Sequence, residues 1–143
     1  MTLVFEAEQP DAVLRRSREV MTAVLDRPAQ PWPSVAEWAE SLPGWFVSAC
    51  APESEEELEA WVAWWRTLDP PGRAAAAAAK RWSLETWLSW LEPEERQWFW
   101  WDAAVGGRRG QVLVEVPGWP APFGALEWLL RAAGAASVIV VEP

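Results

Sequence analysis

Two apolar stretches flank Gly106-Gly107-Arg108-Arg109-Gly110, and this pairing constrains the chain more than any other feature. The glycine-rich centre is a hairpin turn signal, so residues 97–105 and 111–117 read as antiparallel strands. In the first strand Phe99, Trp101, Ala103 and Val105 share one face, and Trp98, Trp100, Asp102 and Ala104 share the other. In the second, Val112, Val114 and Val116 alternate with Gln111, Leu113 and Glu115. Side chains alternate with a period of two, so a slip of one residue would mix these faces and the pattern sets the pairing parity. Phe99 and Trp101 are expected to face the interior.

The rest of the chain supplies what the hairpin packs against. Leu3, Val4 and Phe5 predict a short first strand. From Asp11 to Arg27 the apolar residues recur at helical spacing: Val13, Leu14, Val20, Met21, Val24 and Leu25, with Ser17 on the same stripe. Pro28, Pro31 and Pro33 form a stiff connection, after which Ser34 is placed to cap a brief helix through Trp38 and Leu42. Ser54 and Glu57 have the spacing of a capping box, followed by a stripe of Leu58, Trp61, Val62, Trp65 and Leu68. Pro70-Pro71-Gly72 is expected to end that helix, and Ala74 to Ala79 to form another, either closely packed or largely exposed.

Ser83 caps a helix with Leu84, Trp87, Leu88 and Leu91 on one face. Its LETWLSWL echoes LEAWVAWW upstream, with Trp64 and Trp90 each one step off the stripe. A last helix, with Phe123, Leu126, Leu129, Leu130 and Ala133 inward, stops at Gly134. Val138 to Val141, apolar on both faces, reads as an inner strand of the sheet.

Strand, helical region, strand, strand, helix, strand is the order of an α+β fold with a ferredoxin-like βαββαβ sheet, antiparallel or mixed, whose first crossover is enlarged. The last strand–helix–strand unit is expected to be a right-handed parallel crossover. The rival arrangement is a ββαβ sheet unit packed on a separate helical region; the two differ on whether Leu3 and Phe5 are buried in the sheet. At 143 residues one domain is expected, with a helix-rich part about 10–92 and a hairpin-helix-strand part about 97–142.

The stretches WSLETWLSWLEPEERQWFWWDA and PGWPAPFGALEWLLRAAGA resemble uncharacterised Trp-rich proteins of bacterial genomes over roughly the last two fifths of the chain. The resemblance implies no activity.

Composition removes several classes of chemistry. The chain has no His, which rules out Ser-His-Asp or Cys-His arrangements and zinc sites built from Cys and His. No phosphate-binding glycine motif and no calcium-loop spacing of carboxylates occurs, so no metal and no cofactor is expected. The net charge of −9, with Lys80 the only lysine, opposes nucleic-acid binding. No apolar run approaches the ~20 residues that span a bilayer, and the N-terminus lacks a signal-peptide pattern. Neither a membrane nor an oxidising compartment is implied, and a cytoplasmic location is expected. Cys50, between alanines, reads as a small buried hydrophobe.

What remains are indoles and carboxylates. Trp32, Trp64, Trp90, Trp98, Trp100 and Trp119 lie off the core stripes. Exposed, such indoles stack on sugar rings, enclose a cation or anchor a protein interface. The alternative is that the extra helices cover the second sheet face and bury Trp98, Trp100 and Leu113 in a second small core. Asp102, beside Trp100 and Trp101, is either a desolvated acid paired with Glu115 on the same face, or a sheet-margin residue paired with Arg108, Arg109 or water. The candidate contact residues are therefore Trp90, Trp98, Trp100, Asp102 and Trp119, with Asp102 and Glu115 as weak catalytic candidates. The expected role is a non-catalytic protein–protein interaction or inhibitor module of immunity type, its acidic surface suited to a basic partner, or a homodimer. The second expectation is a small-ligand binder with an indole-lined pocket that has Arg or a carboxylate at its mouth. A carboxylate-dependent enzyme comes third.

Overall fold

The computed structural model describes residues 1–27, 30–118 and 120–142. In chain order it holds β1 (Thr2–Glu6), α1 (Pro10–Leu25), α2 (Val35–Ser41), α3 (Gly44–Ala49), α4 (Glu55–Arg66) and α5 (Pro70–Ala79). Then follow α6 (Leu84–Leu91), β2 (Phe99–Gly106), β3 (Arg109–Glu115), α7 (Gly124–Ala132) and β4 (Ser137–Val141). The fold is α+β.

The strands form one antiparallel sheet in the order β2-β3-β1-β4. Leu3 and Phe5 are fully buried and β1 pairs on both sides, so the arrangement that left β1 out of the sheet does not hold. Both β3 and β4 run antiparallel to β1, hence parallel to each other with β1 between them. The hairpin turns at Gly107-Arg108, where Gly107 takes a φ of 61° that side chains with a Cβ avoid. Gly110 is required for a different reason: a Cβ there would collide with the ring of Phe5.

β4 corrects the expectation of an inner strand, since it lies at the sheet edge and β1 takes the centre. Its two apolar faces have separate causes. Val138 and Val140 pack against the core, whereas Ile139 and Val141 point to the other side and are exposed.

A second correction concerns β2. A bulge falls between Trp100 and Asp102, so Trp101 has no partner across the pair. One extra residue reverses parity along a strand. Ala103 keeps the helix-facing side opposite Val112, but Trp100 joins it opposite Val114, and Phe99 is turned outward opposite Glu115. Phe99 and Trp101 are exposed, while Trp98 is buried.

Among the described residues the helices cover one face of the sheet, that of Leu3, Phe5, Val112 and Val114. α1 packs on β2 and β3, and α7 on β4. The core gathers Val13, Val20, Trp38, Phe46, Trp87, Trp98 and Leu126 over Leu3, Phe5 and Val112. Capping follows the sequence. Ser34, Ser54 and Ser83 accept from the backbone N–H three residues on, at 3.2, 3.1 and 3.1 Å. Pro70-Pro71-Gly72, expected to end a helix, instead begins α5: Asp69 caps it by accepting from Gly72 N–H at 2.8 Å. Leu25, placed on the α1 stripe, is exposed.

α4 and α5 form a hairpin in which no residue is fully buried. Leu58, Trp61, Val62 and Trp65, expected as core, are half-buried. The alanines of α5 offer them little side-chain surface, which is the physical reason the stripe stays partly open.

Candidate functional site

Two surfaces carry indoles beside carboxylates. The first is the sheet face opposite the helices. Register places Thr2, Val4, Phe99, Asp102, Leu113, Glu115, Ile139 and Val141 on it. Trp101 is 75 % exposed, Ile139 62 % and Phe99 50 %, values a covering layer would not leave. A hollow of about 770 Å³ opens at one end of this face, lined by Trp101, Leu113, Glu115, Val116 and Glu142. At the opposite end Arg109 pairs with Glu6 at 3.5 Å, both exposed.

The bulge creates this surface. It stands Trp101 away from the sheet and puts Asp102 opposite Leu113, one diagonal step from Glu115. The two carboxylates therefore share a face, as expected. Asp102 is nonetheless exposed and does not line the hollow; its Oδ1 accepts the backbone N–H of Ala103 at 2.8 Å. Neither Arg108 nor Arg109, the alternatives to water as a partner for Asp102, forms an ion pair with it: Arg109 stands opposite Gly106, four positions along the strand, and pairs with Glu6. Arg96 reaches across the sheet margin, its guanidinium 5.4 Å from the Phe99 ring centroid and 6.0 Å from that of Trp98.

The second surface is a groove of about 690 Å³ between the α4–α5 hairpin and the body. Trp61 and Trp65 of α4 line one side; Trp82, Trp90 of α6 and Glu127 and Arg131 of α7 line the other. Trp61 and Trp65 stack at 6.4 Å with 22° between planes. Lys80 closes one end: its ammonium lies 2.8 Å from Glu53 Oε1 and 5.1 Å from the Trp61 centroid. Arg131 donates to the carbonyl of Ala78 and so ties α5 to α7. Its remaining nitrogens reach the Glu127 backbone carbonyl at 3.4 Å and Glu127 Oε2 at 3.6 Å. Burial pushes the Glu127 carboxyl above its ordinary value, and Arg131 opposes that only in part.

The sequence candidates are distributed between these places. Asp102 and Glu115 belong to the sheet face, and Trp90 to the groove. Trp98 is buried in the core and Trp100 packs against it, so they serve stability rather than an open surface. Among the described residues they join the one core beneath the helices rather than a second core on the other sheet face. Trp119 lies outside the described residues. Cys50 is buried; burial raises its thiol, with Trp128 and Arg81 acting in the opposite direction.

Ile139 and Val141 were missed because an apolar edge strand resembles an inner one. Trp61 and Trp65 were missed because a Leu/Trp stripe implies a core. The alanine run Ala74 to Ala79 beside them was the available signal that it was not.

Among the described residues no group of His, Cys, Asp and Glu is arranged to hold a metal ion, and no helix is long and apolar enough to cross a membrane. The chain matches no protein-family model, no curated protein and no solved structure.

Proposed function

We propose that the chain is a non-catalytic protein-interaction module of inhibitor or immunity type, which holds a basic partner on its uncovered sheet face. The observation that carries this reading is Trp101, three-quarters exposed above a hollow bordered by the carboxylates of Glu115 and Glu142. Exposed indoles are favoured interface anchors. An indole face next to carboxylates suits a lysine or arginine side chain from the partner. Asp102 adds a further negative charge on the same face, which works against pairing this face with a second copy of itself. The scaffold is read as a ferredoxin-like βαββαβ unit with an enlarged first crossover; the strand order β2-β3-β1-β4 and its antiparallel pairing support that reading.

The test is a photo-crosslinking residue at Ile139 in the source cells. An adduct with a basic protein is expected, suppressed by raised salt and lost in Trp101→Ala. An equal adduct from a crosslinker at Glu19, on the exposed side of α1, would refute the assignment, as would no adduct. An adduct with a second copy would replace the basic partner by self-association.

The groove under the α4–α5 hairpin supports a second, independent reading as a small-ligand site. Its volume of about 690 Å³ and its indole lining have the proportions of such pockets.

A further inference from the structure

We infer that the groove between the α4–α5 hairpin and α6–α7 binds an organic cation with an apolar body, its ammonium at the Glu127 carboxylate and its body against the indoles. This rests on the reading of the groove as a small-ligand site and adds the chemical class of the ligand.

Three observations point to a cation. First, the groove already holds one. The Lys80 ammonium sits between the Glu53 carboxylate, at 2.8 and 2.9 Å, and the Trp61 ring, at 5.1 Å from its centroid. An alkylammonium is thus bound by an indole face and a carboxylate, and indole is the side-chain ring best suited to that role.

Second, Glu127 repeats half of this arrangement without the ammonium. Its carboxylate has Arg131 no nearer than 3.6 Å, and that guanidinium is shared with two backbone carbonyls. Desolvation dominates its surroundings, so a further positive charge beside it relieves an unfavourable burial. Trp90, on α6, supplies an indole that is 41 % exposed and lines the same cavity.

Third, the cations that line the groove are already engaged, Lys80 by both oxygens of Glu53 and Arg131 by the backbone carbonyls of Ala78 and Glu127. The net charge of −9 raises the local concentration of cations over anions throughout.

The experiment is calorimetric titration of the whole chain with benzyltrimethylammonium, its neutral carbon isostere neopentylbenzene, and benzenesulfonate. Benzyltrimethylammonium is expected to bind at least about tenfold more tightly than neopentylbenzene, with no binding of benzenesulfonate. Glu127→Gln should weaken the cation about tenfold and leave the neutral probe unchanged. Trp90→Ala, at an exposed position that the fold does not need, should weaken both. Equal affinities for the cation and its isostere would overturn the cation assignment and leave the ligand pocket standing. No binding of any probe would overturn both. The comparison of ligands uses the unaltered chain, so it decides even where a variant folds poorly.

Discussion

α4 and α6 carry nearly the same motif and meet opposite fates. LEAWVAWW and LETWLSWL align Leu58 with Leu84, Trp61 with Trp87, Val62 with Leu88 and Trp65 with Leu91. In α6, Trp87, Leu88 and Leu91 are buried; in α4 their counterparts are only half-buried. Trp64 and Trp90, the off-stripe members, are 52 % and 41 % exposed, so the helical period is read identically by both helices. The difference lies in what each stripe meets. Trp87 packs edge-on against Phe46 at 4.6 Å and donates its indole N–H to Ala125 at 3.0 Å. Trp61 meets Trp64, Trp65 and Lys80, and faces across the groove only the small side chains of Ala74, Ala77 and Ala78 among the α5 residues that line it. An apolar stripe announces which face seeks cover, and the neighbouring elements decide whether cover arrives.

Truncating the aligned tryptophans breaks or sustains this comparison most directly. Trp87→Ala removes a fully buried indole and its hydrogen bond to the Ala125 carbonyl, for an expected loss of about 3–5 kcal/mol in urea unfolding. Trp61→Ala removes a half-covered ring and its contact with Lys80, for an expected loss of about 1 kcal/mol. Equal losses would mean that the hairpin is as firmly packed as the body, and the contrast would fall.

The contrast also explains what was legible in the sequence. Turn residues and caps act locally, so the hairpin, the serine caps and the stop near Gly134 could be read directly. β1 was legible too, from the short apolar run Leu3-Val4-Phe5 ahead of Pro10. The bulge at Trp101 could not be read: it inserts one residue without a glycine or proline to mark it, and it reverses the roles of Phe99 and Trp100. The edge position of β4 depends on β1 taking the centre, a non-local choice. The open sheet face and the groove both arise from such choices. Of the expected contact residues, therefore, Trp90 and Asp102 reach an exposed surface while Trp98 is buried in the core.

A smaller effect separates the two helices in dynamics. With no fully buried residue, α4 and α5 should open without the rest of the molecule. Amide hydrogen exchange is expected to give α4 and α5 opening free energies at least about 2 kcal/mol below those of β1 and α6. Protection equal to that of the body would show that the Lys80–Glu53 pair and the Arg131–Ala78 bond clamp the hairpin as tightly as a core does.

The smallest effect sits where hairpin and body meet, at Glu127. Burial raises its carboxyl in the folded state, against the opposing influence of Arg131; Lys80 and Glu53, which also line the groove, are paired with each other. Just above the ordinary carboxylate range the folded chain therefore holds this proton more firmly than the unfolded chain. Stability then falls as pH rises through that window, and the full cost is present above the folded-state value. Glu127→Gln lacks this group, so wild type should gain relative to the variant as pH falls from about 8 to about 4, by less than about 1 kcal/mol. Urea unfolding of both chains across that range measures it. The same comparison in a Trp65→Ala background should show a shallower dependence, since removing a groove-lining indole admits water to the carboxylate. A dependence of opposite sign would mean that the Arg131 pair outweighs burial, and would make the groove carboxylate a satisfied one.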